Sequence, residues 1–228
     1  MADQLFKKRK EARQIRKSKA IKERSESWLI VCEGTKTEPN YVNSIIQYAN
    51  RITEESKLKA DVIGVGRNTE TLVECVDDYF DYVDKFGAQK KGIPYAKTFV
   101  LFDKDSFRPQ QFNNAIEMAK VRGYIPIWSN ECFELWYILH YCNYCSDNGR
   151  NAYFKKLTEL LGDKYDKASD IFELIHSPER LKQAMNYAQR LDIESSCKSS
   201  PAKRVPCTQM YKLIQEIQAK LKVDLLSN

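Results

Sequence analysis

Four short apolar runs, each followed by a stretch with helical periodicity, constrain the fold of this chain more than any other feature. Trp28-Leu29-Ile30-Val31-Cys32 is apolar at every position. A strand with one wet face alternates polar and apolar residues, so an unbroken run predicts a strand covered on both faces, as in a parallel sheet. Glu38-Pro39 then opens a segment in which Tyr41, Val42, Ile45, Ile46 and Ala49 share one helical face, with the proline suited to a first turn. The pattern recurs at 61–65, before a helix capped by Asn68 or Thr69 with the stripe Leu72, Val73, Val76, Phe80 and Val83. It recurs at 97–102, before Phe112, Ala115, Ile116 and Ala119 at i, i+3, i+4, i+7 spacing, and at 124–128, which runs into Ser129-Asn130 and a helical stretch over 132–142. Strands alternating with helices predict an α/β fold, a mainly parallel sheet flanked by helices.

After 143–151 the pattern changes. Residues 152–161, 178–191 and 208–221 read as helices, the second with Ser177 as cap and Pro178 at its first position, and no strand signal remains. The chain therefore divides into a tail over 1–25, an α/β core over 26–145 and a helical C-terminal cap over 146–228.

Charge supports the first boundary. The 228 residues carry 37 Lys+Arg and 31 Asp+Glu, for a net +6, but residues 1–25 hold ten of the basic and three of the acidic residues. The tail is thus +7 and the remaining 203 residues are −1. A uniformly basic fold is excluded, and a basic arm, without fixed structure until it meets a polyanion or an acidic partner surface, is the better description. Seven cysteines, an odd number scattered along the chain, do not form a disulfide framework. No apolar run approaches the roughly 18 residues of a spanning helix and the start of the chain is charged, so no membrane association and a cytoplasmic location are expected. His140, Cys142 and Cys145 have ligand-like spacing for zinc, but no fourth ligand lies near them, and packing is the simpler role.

Acidic residues fall where such a sheet binds ligands. Glu33 directly follows the first strand, and Asp103 and Asp105 the third. In open parallel sheets the ligand site lies outside the carboxyl ends of the strands at the switch point, and a 2-1-3-4 strand order makes the first and third strands neighbours there. Asp103 and Asp105, two apart, project to one side of an extended chain. Three converging carboxylates repel unless a cation sits between them, and oxygen ligands without His or Cys favour Mg²⁺ or Mn²⁺.

Residues 31–41 (VCEGTKTEPNY), 101–107 (LFDKDSF), 128–141 (WSNECFELWYILHY) and, more weakly, 205–214 (VPCTQMYKLI) together resemble the RloB-like family, whose core is similar to the Toprim domain of topoisomerases and primases. The resemblance covers roughly 28–214. It implies that Glu33 acts as general acid/base or metal ligand and that Asp103 and Asp105 hold Mg²⁺. It also implies a nuclease acting on RNA or DNA in bacterial anti-phage defence, as an abortive-infection effector controlled by an ABC-type or AAA-like ATPase partner. Lys36 and Lys104, each beside a motif carboxylate, are candidate phosphate contacts. Glu38 and Glu134 fit either a helix-start carboxylate or a functional one, and His140 either a hydrogen-bonded core residue or a substrate contact. Ser129 and Asn130 are expected to cap the helix after the fourth strand, at an end able to face a phosphate. The alternative from a different class is a non-catalytic nucleic-acid-binding or regulatory subunit of an ATPase complex.

Overall fold

The computed structural model describes Gln14 and residues 26–227, apart from 55, 56, 81, 84–88, 91–94 and 168. The tail expected over 1–25 lies outside the described residues except for Gln14. In chain order the elements are β1 (Trp28–Cys32), α1 (Thr37–Ile52), β2 (Ala60–Gly64), α2 (Thr69–Cys75), β3 (Tyr82–Val83), β4 (Gln89–Lys90), β5 (Lys97–Asp103), α3 (Pro109–Val121), β6 (Ile125–Asn130), α4 (Glu134–Leu139), α5 (Arg150–Leu161), α6 (Phe172–Ile175), α7 (Pro178–Glu194), β7 (Cys207–Thr208) and α8 (Met210–Leu221). Five strands form one sheet in the order β2-β1-β5-β6-β7, and β3 pairs with β4 in a separate antiparallel ribbon. The first four sheet strands are mutually parallel. The α/β class is observed, and the first four sheet strands take the 2-1-3-4 order that makes β1 and β5 neighbours.

The unbroken apolar runs are explained by burial on two sides. Successive strand residues point to opposite faces. Trp28, Ile30 and Cys32 of β1 and Phe99 and Leu101 of β5 enter one hydrophobic cluster, together with residues of α1, α4, α5, α7 and α8. Leu29, Val31, Val100 and Phe102 enter a second one with α2 and α3. The sheet is the middle layer of three. The first cluster is continuous from Trp28 to Leu225, so the C-terminal helices complete the same core that α1 and α4 begin.

Several local expectations are corrected. The helical stripe read through Val83 stops short: α2 ends at Cys75, a 3-10 turn spans Val76–Tyr79, and Val83 lies on β3. Asp77 and Asp78 at a helix C-terminus oppose its dipole and favour local turns, which accounts for the break. The region after 146 does hold a strand, β7, which pairs antiparallel with β6 through Ser129↔Thr208 and Asn130↔Cys207. Two residues carry no periodicity, so the sequence pattern could not reveal it. Ser129 and Asn130 are the last residues of β6 and do not cap α4, whose flanking residue is Phe133. At the buried sheet edge their polar groups are satisfied instead, Ser129 Oγ with Thr208 Oγ1 at 3.0 Å and Asn130 Nδ2 with the Ala202 carbonyl at 3.0 Å.

Candidate active site

The carboxyl ends of β1 and β5 open onto a cavity of about 520 Å³. Its lining includes five carboxylates near the strand ends, Glu33, Glu38, Asp103, Asp105 and Glu134, with Asp166 on a further segment. Four cationic side chains, Lys36, Arg67, Arg150 and Lys167, line the same space. Neither His nor Cys is among the lining residues.

Each carboxylate is positioned by a different element. Glu33 follows β1, and its backbone amide continues the sheet by donating to the Leu101 carbonyl at 2.9 Å. The Thr69 hydroxyl, at the start of α2, donates to Glu33 Oε2 at 3.1 Å. Glu38 stands in the first turn of α1, only 6% exposed, and its Oε1 accepts from the Gly34 amide at 3.3 Å. Asp103 ends β5, and its Oδ2 accepts from the Phe133 amide at 3.0 Å. Glu134 opens α4 with only 1% exposure. Its Oε1 accepts from the Tyr165 hydroxyl at 3.2 Å and pairs with Lys167 Nζ at 3.2 Å, while Oε2 is buried with no partner.

The extended geometry that would aim both aspartates to one side ends at Asp103. Asp105 follows in a turn with φ 38°, and the 103–105 segment is tied down by Lys104 N–H to the Ser129 carbonyl and Asp105 N–H to the Glu131 carbonyl, both 2.8 Å. Asp105 still faces the cavity, where its Oδ2 is ion-paired with Arg150.

Crowding of like charge is visible in the proton affinities. The Glu33 carboxyl is pushed up to about 7, chiefly by burial, with Glu38 and Asp105 adding to the rise and the Thr69 hydroxyl opposing it. Burial also raises Glu38, with Glu134 reinforcing the effect. Asp103 is raised well above the carboxylate range by burial, then by Glu38, Glu134 and Glu33. These groups resist ionising together, which is the condition a bound cation relieves.

The residues singled out from the sequence separate into two groups. Glu33, Lys36, Glu38, Asp103, Asp105 and Glu134 share the cavity. Lys104, Ser129, Asn130 and His140 are not among its lining residues. Lys104 Nζ turns to the Asp105 carbonyl at 3.1 Å. His140 is buried beside Trp136, with Nδ1 2.9 Å from the Trp136 carbonyl, and burial lowers its pKa to about 3, so it is neutral. Arg67, Arg150 and Lys167 were not singled out by sequence pattern; only the folded arrangement brings them to the cavity.

Among the described residues, no three His, Cys, Asp or Glu side chains stand close enough together to hold a metal ion. The cavity carboxylates share a space without forming a closed ligand shell, and Cys142 and Cys145 form no cluster with His140. The donor chemistry nevertheless fits a hard divalent cation: oxygen groups only, mutual repulsion, and one buried carboxylate oxygen without a partner. Among the described residues no helix is long and apolar enough to cross a membrane.

A family model described as RloB-like protein matches residues 28–217. Comparison with curated proteins and with solved structures gives no match.

Proposed function

The chain belongs to the RloB-like family, and from that premise we propose that it is a Mg²⁺- or Mn²⁺-dependent nuclease that cleaves phosphodiester bonds of RNA or DNA in anti-phage defence, under the control of an ATPase partner. One observation carries the reading: carboxylates from β1, β5, α1 and α4 meet four cationic side chains in a single cavity at the strand ends. Acidic groups alone would repel a polyanion, and basic groups alone would not recruit a divalent ion. The mixture suits an ion and a phosphate bound side by side.

Glu33, Asp103 and Asp105 are the proposed holders of the ion, with Glu38 and Glu134 facing the same space. A bound divalent cation supplies charge neutralisation at the scissile phosphate and acidifies a water molecule. The remaining work falls to the chain. In the metal-free site the Glu33 carboxyl lies near 7, so it gives up its proton readily near neutral pH as a cation is bound, and the Thr69 hydroxyl holds its Oε2 in place. Lys36, Arg67 and Lys167 are placed to bind phosphate oxygens. The basic residues of 1–25 add sequence-independent attraction for the polyanion.

The test is incubation of wild type and Glu33→Ala with total tRNA and with plasmid DNA, in Mg²⁺, Mn²⁺ or EDTA, with and without the ATPase. Metal-dependent cleavage by wild type and its loss in Glu33→Ala supports the reading. Identical behaviour of both proteins in every lane overturns it and leaves the non-catalytic subunit.

A further inference from the structure

Arg150 occupies a position that local chemistry disfavours. It is the first residue of α5, where the free amides of the helix end carry partial positive charge, and the first turn of α5 holds no acidic residue to offset a cation. Gly149, at φ 73°, makes the turn that delivers Arg150 to the rim of the cavity, a conformation side-chain-bearing residues adopt only at a cost. Its partner is locally disfavoured too. Asp105 sits in the left-handed region at φ 38°, which aspartate tolerates better than most residues but not freely. Two unfavourable local choices, 45 positions apart, meet in one ion pair. Such coincident exceptions to local preference mark functional positions more often than structural ones. The guanidinium also lies 5.3 Å from the Phe154 ring centroid, which holds it at the cavity wall.

We infer that Arg150 is the built-in counter-cation of the carboxylate cavity: it neutralises Asp105 until a divalent cation takes its place, and the released guanidinium then binds the substrate phosphate. The inference rests on the metal-dependent reading above. An arginine and a divalent ion repel each other when they share one carboxylate, so occupancy by one weakens the other. Arg150 reaches Asp105 through one guanidinium nitrogen, and a planar guanidinium can donate to phosphate oxygens as it does to a carboxylate oxygen, so the exchange replaces one charge-assisted partner with another. The pair is only partly covered, with side chains 37% and 27% exposed, which leaves it able to open. A purely structural ion pair predicts that its loss lowers stability and does nothing for metal affinity. A counter-cation predicts tighter metal binding and weaker nucleic-acid binding in the same variant.

The experiment titrates full-length protein with Mn²⁺ alone, following free Mn²⁺ by electron paramagnetic resonance, for wild type, Arg150→Gln, Arg150→Lys and Asp103→Asn. Arg150→Gln is expected to bind Mn²⁺ about fivefold more tightly, the scale set by releasing a partly exposed charge pair. Arg150→Lys, which keeps the charge but not the fork, should lie between it and wild type and serves if Arg150→Gln does not fold. Anisotropy of a labelled single-stranded RNA with non-cleavable linkages, at saturating Mn²⁺, should show weaker binding by Arg150→Gln, and the difference should shrink in EDTA, where Arg150 of the wild type stays paired with Asp105. Unchanged or weaker Mn²⁺ affinity in the Arg150 variants, with wild type binding and Asp103→Asn not, overturns the counter-cation role and leaves the metal site standing. A wild type that binds no Mn²⁺ removes both.

Discussion

The Phe133 amide donates to Asp103 Oδ2 across 3.0 Å, so the aspartate at the end of β5 is held by the segment that joins β6 to α4. Two residues thirty positions apart, from two of the sequence blocks, thereby meet at one cavity. The block around 128–141 serves the site less through its own polar side chains than through this amide and through Glu134 on the next turn. Ser129 and Asn130, the polar residues that look most available in sequence, are spent on the sheet edge.

The buried Glu33 carboxyl predicts a specific stability signature in metal-free protein. Its native pKa of about 7 lies above the unfolded value of 4.5, so between those limits the folded state binds the extra proton and stability falls as pH rises. His140 acts oppositely. Its pKa is about 3 when folded against 6.5 when unfolded, so it costs stability as pH falls below 6.5. The two slopes offset each other in wild type where the windows overlap. Glu33→Gln removes one of them. Thermal melts in EDTA should show the variant close to wild type at pH 5 and more stable at pH 8, by on the order of 2 kcal/mol. Equal stability differences at both pH values would contradict the assigned burial.

Gly64 ends β2 against the loop that follows Glu33. A Cβ there would lie 2.5 Å from the Gly34 carbonyl oxygen, 2.8 Å from Pro39 Cγ and 2.8 Å from Thr35 Cα. Two of these are backbone atoms, which cannot swing aside. Gly64→Ala should therefore cost about 2–3 kcal/mol in chemical unfolding, and it should displace the 34–36 loop that lines the cavity. A variant as stable as wild type would show that this close approach is absent in solution.

What the sequence reveals depends on how many residues carry each signal. β1 and β5 are legible because burial on both faces leaves whole runs apolar. The positions of Glu33 and Asp103 follow directly, since each abuts such a run. β7 has two residues and therefore no period, and the end of α2 turns on a pair of aspartates against the helix dipole. Arg150, Arg67 and Lys167 reach the cavity from segments with no motif of their own. For Arg150 a local trace does exist, a glycine before a helix that begins with an unneutralised cation, but its partner Asp105 is fixed only by tertiary structure.

The most direct test of the carboxylate site is the cleavage rate of Asp103→Asn beside wild type in Mg²⁺, with circular dichroism confirming that the variant is folded. The amide keeps the shape of the side chain and an oxygen to accept from Phe133, but loses the charge. The account predicts a loss of at least about a hundredfold with the fold intact; a folded Asp103→Asn that cleaves at the wild-type rate would contradict it.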